Sequence, residues 1–112
     1  MQSMTMYVDF LSLALEGWST DLTRSALIDH ALACRIDMLD HGFRRGDSAF
    51  DALAVEVVYD RALIRLCDAC DIKIELANFT QPRAERSRLE HELVLVGVDL
   101  MKLAREARLA HS

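Results

Sequence analysis

One proline and four glycines are all that punctuate 112 residues. A β-sandwich or barrel of this length needs many tight turns, and turns are built from those residues. So few breakers leave room for long helices, and the plentiful Ala, Leu, Arg and Glu are helix formers. The breakers that do occur fall between stretches of helical periodicity. The sequence therefore predicts an all-α chain: a compact bundle of four to five helices, with a long antiparallel hairpin of helices two and three at its centre, spanning 1–112 as a single domain.

The first helix is expected over about Met6 to Glu16, with Tyr7, Phe10, Leu11, Ala14 and Leu15 at helical spacing and Gly17 as its stop. Ser19, Thr20 or Asp21 can cap a second helix running from about Leu22 to His41, closed by Gly42. Its apolar residues fall on two arcs, Leu27/Ala31/Cys34/Met38 and Ile28/Leu32/Ile36/Leu39, so it should touch two neighbours. "FRRGDS" reads as a turn, with Gly46 free to take positive φ and Asp47 or Ser48 capping a third helix from Ala49 to about Asp71. "IKIELANFTQP" alternates like a strand. A lone strand has no ladder partner, so an extended connector pinned by its apolar side chains is expected. Pro82 suits the first turn of a fourth helix, capped by Thr80 or Gln81 and ended by Gly97. Asp99 should cap the last helix, whose stripe is Leu100, Leu103, Ala104 and Ala107.

A hydrophobic fraction of 52% beside 28% charged residues is a globular balance. The net charge of −5 opposes attraction to a phosphate backbone. No uncharged apolar run is long enough to span a bilayer, and the N-terminal stretch lacks the basic region of a signal peptide. The three cysteines then fit free thiols in a reducing cytoplasm.

Four groups of residues could carry chemistry. His30, Cys34, Cys67 and Cys70 have the right types for zinc. Folding helices two and three back on each other near residue 45, however, puts Cys34 and Cys67 roughly 16 Å apart along the axis. Cys67 and Cys70 alone make a C-x-x-C pair, but at a helix C-terminus beside Asp68 and Asp71, where thiolate is disfavoured. The pair reads better as small buried hydrophobes. The same hairpin places Arg35 opposite Glu56 and lets His30 approach Asp60. That set is either a buried ion pair, Arg35 with Glu56, that fixes helix register, or a metal site using His30, Glu56 and Asp60. The Glu-x-x-His signature of di-metal bundles is absent, and Asp37 with His41 is a weak echo of it. Finally Arg44, Arg45, Arg83, Arg86 and Arg88 are the local basic concentrations. They could grip nucleic acid if they shared one face, but neighbouring acids dilute them and a solvated helix surface is the simpler reading.

No phosphate-binding loop, dinucleotide fingerprint or serine nucleophile motif occurs, so no catalytic residue and no cofactor is assigned. Met4, Met6, Tyr7, Phe10 and Trp18, with the branched run "ELVLVGVDLMKL", exceed what a small interior needs. Excess apolar surface points to a protein partner or self-association. The sequence thus predicts a non-enzymatic interaction or regulatory module. The alternative is a metal- or small-ligand-binding bundle, possibly catalytic, built on the inward-facing Glu, Asp, His and Arg.

Overall fold

The computed structural model describes residues 2–16, 22–43 and 49–110. Among them are five α-helices and no strand: α1 (Gln2–Leu15), α2 (Arg24–Phe43), α3 (Ala49–Ala69), α4 (Pro82–Leu95) and α5 (Leu100–Ala110). A short 3-10 helix, Leu76–Thr80, stands between α3 and α4. The Cα radius of gyration is 13.9 Å, close to the ~13 Å of a compact chain of this length.

Helix α3 is the hub, packing against α1, α2 and α4. Its second half is buried nearly all round: Tyr59, Asp60, Ala62, Leu63, Ile64, Arg65, Leu66 and Cys67 are all inside. So much buried side chain, Asp60 and Arg65 included, requires neighbours on several sides. Helix α2 meets α3 on one side and α5 on the other, as its two arcs predict. Helix α5 runs beside α2 in the same direction. Near one end Arg24 donates to the carbonyl of Val96, and near the other Arg108 faces Asp40.

The helix ends show what the local sequence controls. Asp99 caps α5 as expected, its Oδ1 accepting from the Lys102 N–H at 3.0 Å. Helix α4 ends in a Schellman motif. The Val98 N–H donates to the Leu93 carbonyl at 2.8 Å, the Gly97 N–H donates to Val94, and Gly97 sits at φ +93°. The buried Val98 then packs beside Leu93 in the core. Helix α3 closes the same way, with the Ile72 N–H on the Cys67 carbonyl at 2.9 Å. Its left-handed position is Asp71, at φ 60°, a residue whose short polar side chain tolerates that region.

Some boundaries differ from the sequence reading. Helix α2 passes through Gly42 to Phe43, because a single glycine weakens a helix without ending it. Its cap is Thr23, whose Oγ1 accepts from the Ala26 N–H at 3.1 Å. The proposed caps Ser19, Thr20 and Asp21, the stop at Gly17, and the turn residues Gly46, Asp47 and Ser48 lie outside the described residues. The alternating connector has no regular structure over 72–75, with Glu75 in an extended conformation, before tightening into the 3-10 helix. Ile72, Ile74 and Leu76 pack on the core as expected, and Phe79, which the sequence reading passed over, is fully buried.

Gly97 is the one glycine whose conformation carries this scheme. Nothing lies within 4 Å of a Cβ built there, so Gly97→Ala should cost only the left-handed backbone strain. A loss of about 1–2 kcal/mol in urea unfolding is expected, with the fold retained by circular dichroism.

Candidate functional site

The polar centre of the molecule forms around Asp60, which is 0% exposed. A carboxylate stripped of water this far is costly unless donors replace the water. Three donor groups do. Arg86 of α4 presents its fork, with Nε on Oδ1 at 2.7 Å and Nη2 on Oδ2 at 2.9 Å. From α1 the Tyr7 hydroxyl donates a short hydrogen bond to Oδ2. Arg86 Nη2 also reaches Glu56 Oε1 at 3.0 Å, one helical turn before Asp60. One guanidinium thus offsets the repulsion between the two acids of α3.

A second relay lies on the other flank of α3. The Tyr59 hydroxyl donates to Glu90 Oε2, and Arg35 Nη1 pairs with the same oxygen at 3.2 Å. The Arg35 guanidinium stands over the Tyr59 ring, 5.5 Å from its centroid. Helix α2 is thereby tied to α3 and α4 as α1 is tied to them by Asp60. A third pair sits on α4 itself: buried Glu85 accepts both Nε and Nη2 of Arg88, at 2.8 and 2.7 Å.

These placements revise the residue assignments from sequence. Arg35 does not pair with Glu56. It lies level with Tyr59, some four positions further along α3 than a hairpin centred near residue 45 implies, and Glu90 takes it. Glu56 belongs to Arg86. His30 is exposed, with Nε2 3.8 Å from Cys34 Sγ, so it is not the partner of Asp60. Of the proposed basic face, Arg86 is buried and Arg88 is engaged by Glu85. Arg83 is exposed, and Arg44 and Arg45 lie outside the described residues. Sequence reasoning put Arg86 on a basic surface and missed its inward role, and it passed over Tyr59 and Glu90. A signal was present: Arg86, Leu89 and Leu93 are spaced i, i+3, i+7, and all three are buried.

The electrostatics hold Tyr7, Tyr59 and Arg86 in their protonated forms. Burial drives the Tyr7 and Tyr59 phenols far above their ordinary range, and Asp60 and Glu90 push them further. Neither phenol can serve as a base. Burial also raises the Asp60 carboxyl, while the bonds from Arg86 and Tyr7 pull it back down. Burial opposes the Arg86 charge, but the hydrogen bond and charge of that same carboxylate, with Glu56, outweigh it and hold Arg86 more firmly protonated than usual. The two partners both shift upward, and the three-bond geometry favours the ionic pair: a protonated Asp60 would leave the buried guanidinium with Glu56 alone. Both Asp60 oxygens already accept from protein donors. A divalent cation placed between Asp60 and Glu56 would meet the Arg86 guanidinium. Among the described residues no group of three or more His, Cys, Asp or Glu is arranged to hold a metal ion.

The cysteines are equally settled. All three are free thiols. Cys67 is fully buried, and burial, then the neighbouring Cys70, push its pKa up to about 12. Cys34 is raised chiefly by burial and has Asp37 and Arg61 as its charged neighbours, a different environment from that of Cys67. No family model, curated protein or solved structure matches the chain.

Two outcomes follow. Tyr7→Phe deletes one donor to a buried charged acceptor and should cost about 1.5–3 kcal/mol in urea unfolding. At pH 8 Cys67 is a buried thiol and not a thiolate, so iodoacetamide should spare it in the folded protein and modify it once urea unfolds the chain. Mass-mapped alkylation reads this directly, and rapid labelling of native Cys67 would contradict the packing described.

Proposed function

We propose that the protein is a non-enzymatic interaction module that pairs with a second copy of itself through the outer face of α1 and the adjoining surface of α3. One observation carries this reading: α1 has two apolar stripes. Tyr7 and Leu11 face the core, whereas Met6, Phe10 and Leu13, spaced i, i+4, i+7, stand outward at 51%, 39% and 63% exposure. That spacing is how a helix offers anchors to another helix. Beside the stripe Phe10, Leu53, Ala54, Val57 and Val58 line a shallow groove of about 270 Å³ with scarcely a polar atom in it. Projecting side chains and the groove to receive them therefore lie on one face, as a two-fold interface requires. The side chain of Met4 and all of Trp18, also expected at this surface, lie outside the description.

Two further readings accompany it. We take α2 and α3 as arms of one long antiparallel hairpin. In support, this pair has the most extensive contact in the molecule, and Arg35 and Cys34 stand beside Tyr59 and Arg61. We place the chain in the cytoplasm, since three free thiols suit a reducing compartment. No helix among the described residues is long and apolar enough to cross a membrane.

The polar centre argues against the ligand-binding alternative built on His30, Glu56, Asp60 and Arg35. Glu56 and Asp60 are both taken by Arg86, Arg35 pairs with Glu90 on the other flank of α3, and His30 is exposed, so the four do not line one site. Sedimentation equilibrium at high micromolar concentration should give twice the 12.7 kDa chain mass. The Phe10→Lys/Leu13→Lys double variant should sediment as a monomer with an unchanged circular dichroism spectrum. A wild-type chain that stays monomeric over that range contradicts the proposal.

A further inference from the structure

The face opposite in character to the α1 stripe is a groove between α2 and α5, of about 560 Å³, within the usual range for small-molecule sites. Its walls combine three arginines, Arg35, Arg105 and Arg108, with Leu39, Met101 and Leu109, and among the described residues no carboxylate lines it. In a chain of net charge −5 this is a local reversal of sign. The two helices present the same pattern: Arg35 and Leu39 one turn apart on α2, Arg105 and Leu109 one turn apart on α5. Because α2 and α5 run in the same direction, the two motifs line the groove in the same order.

The positive charge in the groove is incompletely neutralised. No carboxylate pairs with Arg105 among the described residues. Arg108 is engaged, with Asp40 at 3.9 Å among its contacts and both side chains nearly half exposed, so the groove's available charge is that of Arg105 and Arg35. Arg35 gives Nη1 to Glu90, but its buried Nε has no hydrogen-bond partner. Met101 and Leu109 are 55% and 70% exposed beside these cations. An apolar ligand would leave Arg105 without an anion, and a simple anion would leave the Met and Leu surfaces wet.

We propose that the α2/α5 groove binds an anionic amphiphile of the fatty carboxylate class. Its carboxylate lies against Arg105 and Arg35, and its alkyl chain covers Leu39, Met101 and Leu109. This inference is independent of self-association, which uses the α1/α3 face. Calorimetric titration of the full chain with laurate below its micelle concentration tests it, with dodecanol, acetate and an acidic amphipathic peptide as parallel arms. Laurate should bind one per chain, at least tenfold more tightly than dodecanol or acetate. Arg105→Gln should weaken laurate at least tenfold, and Leu109→Gln should weaken it severalfold. Both side chains are exposed, so both variants should keep the wild-type melting curve. Equal affinity for laurate and dodecanol, no loss on Arg105→Gln, or binding of the peptide but not of laurate would each overturn the assignment.

Discussion

A single desolvated carboxylate organises this molecule. Asp60 sits on the helix that touches most of the others, and at 0% exposure it has no water to fall back on. Its negative charge must be answered by the protein, and the answer comes from two other helices: the Arg86 fork on α4 and the Tyr7 hydroxyl on α1. Hydrophobic burial is non-directional and would accept many rotations and offsets of α1 and α4 on α3. The hydrogen bonds at Asp60 accept very few. Moving α4 by one residue would turn Arg86 about 100° away and leave two opposite charges buried and unpaired, each costing several kcal/mol. Lysine could supply the charge at position 86 but not the two parallel donors that span both carboxylate oxygens.

The other ties extend this logic outward with less force. Tyr59, Glu90 and Arg35 join α2 to α3 and α4 where the side chains of Arg35 and Glu90 are only 13% and 12% exposed. Helix α5 is attached differently, by its buried Leu100 and Ala104, with Arg108 and Asp40 adding a long, solvated pairing. The polar restraint therefore weakens from α3 towards α5. The groove between α2 and α5 lies at this outer, more solvated side. A surface that takes a ligand needs that access, and the Asp60 centre cannot offer it.

How much of this could be read from residue order depends on the range of each interaction. Local devices were legible. Asp99 as a cap, Gly97 as a left-handed stop and Pro82 at a helix start each act within a turn, and each stands where the pattern puts it. The two arcs of α2 foretold its two neighbours for the same reason. Partners across helices were not legible. Arg35 was assigned to Glu56 by counting residues from a supposed turn, and a shift of about one helical turn moved it to Tyr59 and Glu90. Arg86 looked like a member of a solvated basic run because "RAERSR" is charged at four of its six positions. Only its register with Leu89 and Leu93 shows that it points inward. A buried charge is recognised by what it meets, and the partner Asp60 is 26 residues away.

The two outer surfaces inherit their characters from this centre. Tyr7 is held inward by Asp60, which fixes the rotation of α1 and leaves Met6, Phe10 and Leu13 turned to solvent. Arg35, held by Glu90, has its guanidinium at the inner edge of the cationic groove. The central claim, that the Asp60–Arg86 pair acts as one unit fixing the helices, is tested most directly by a double-mutant cycle in urea. Asp60→Leu and Arg86→Met should each lose about 3–5 kcal/mol, and the double variant should lose less than their sum by well over 1 kcal/mol, because no buried charge is then left unpaired. Losses that add to within about 0.5 kcal/mol would contradict the account.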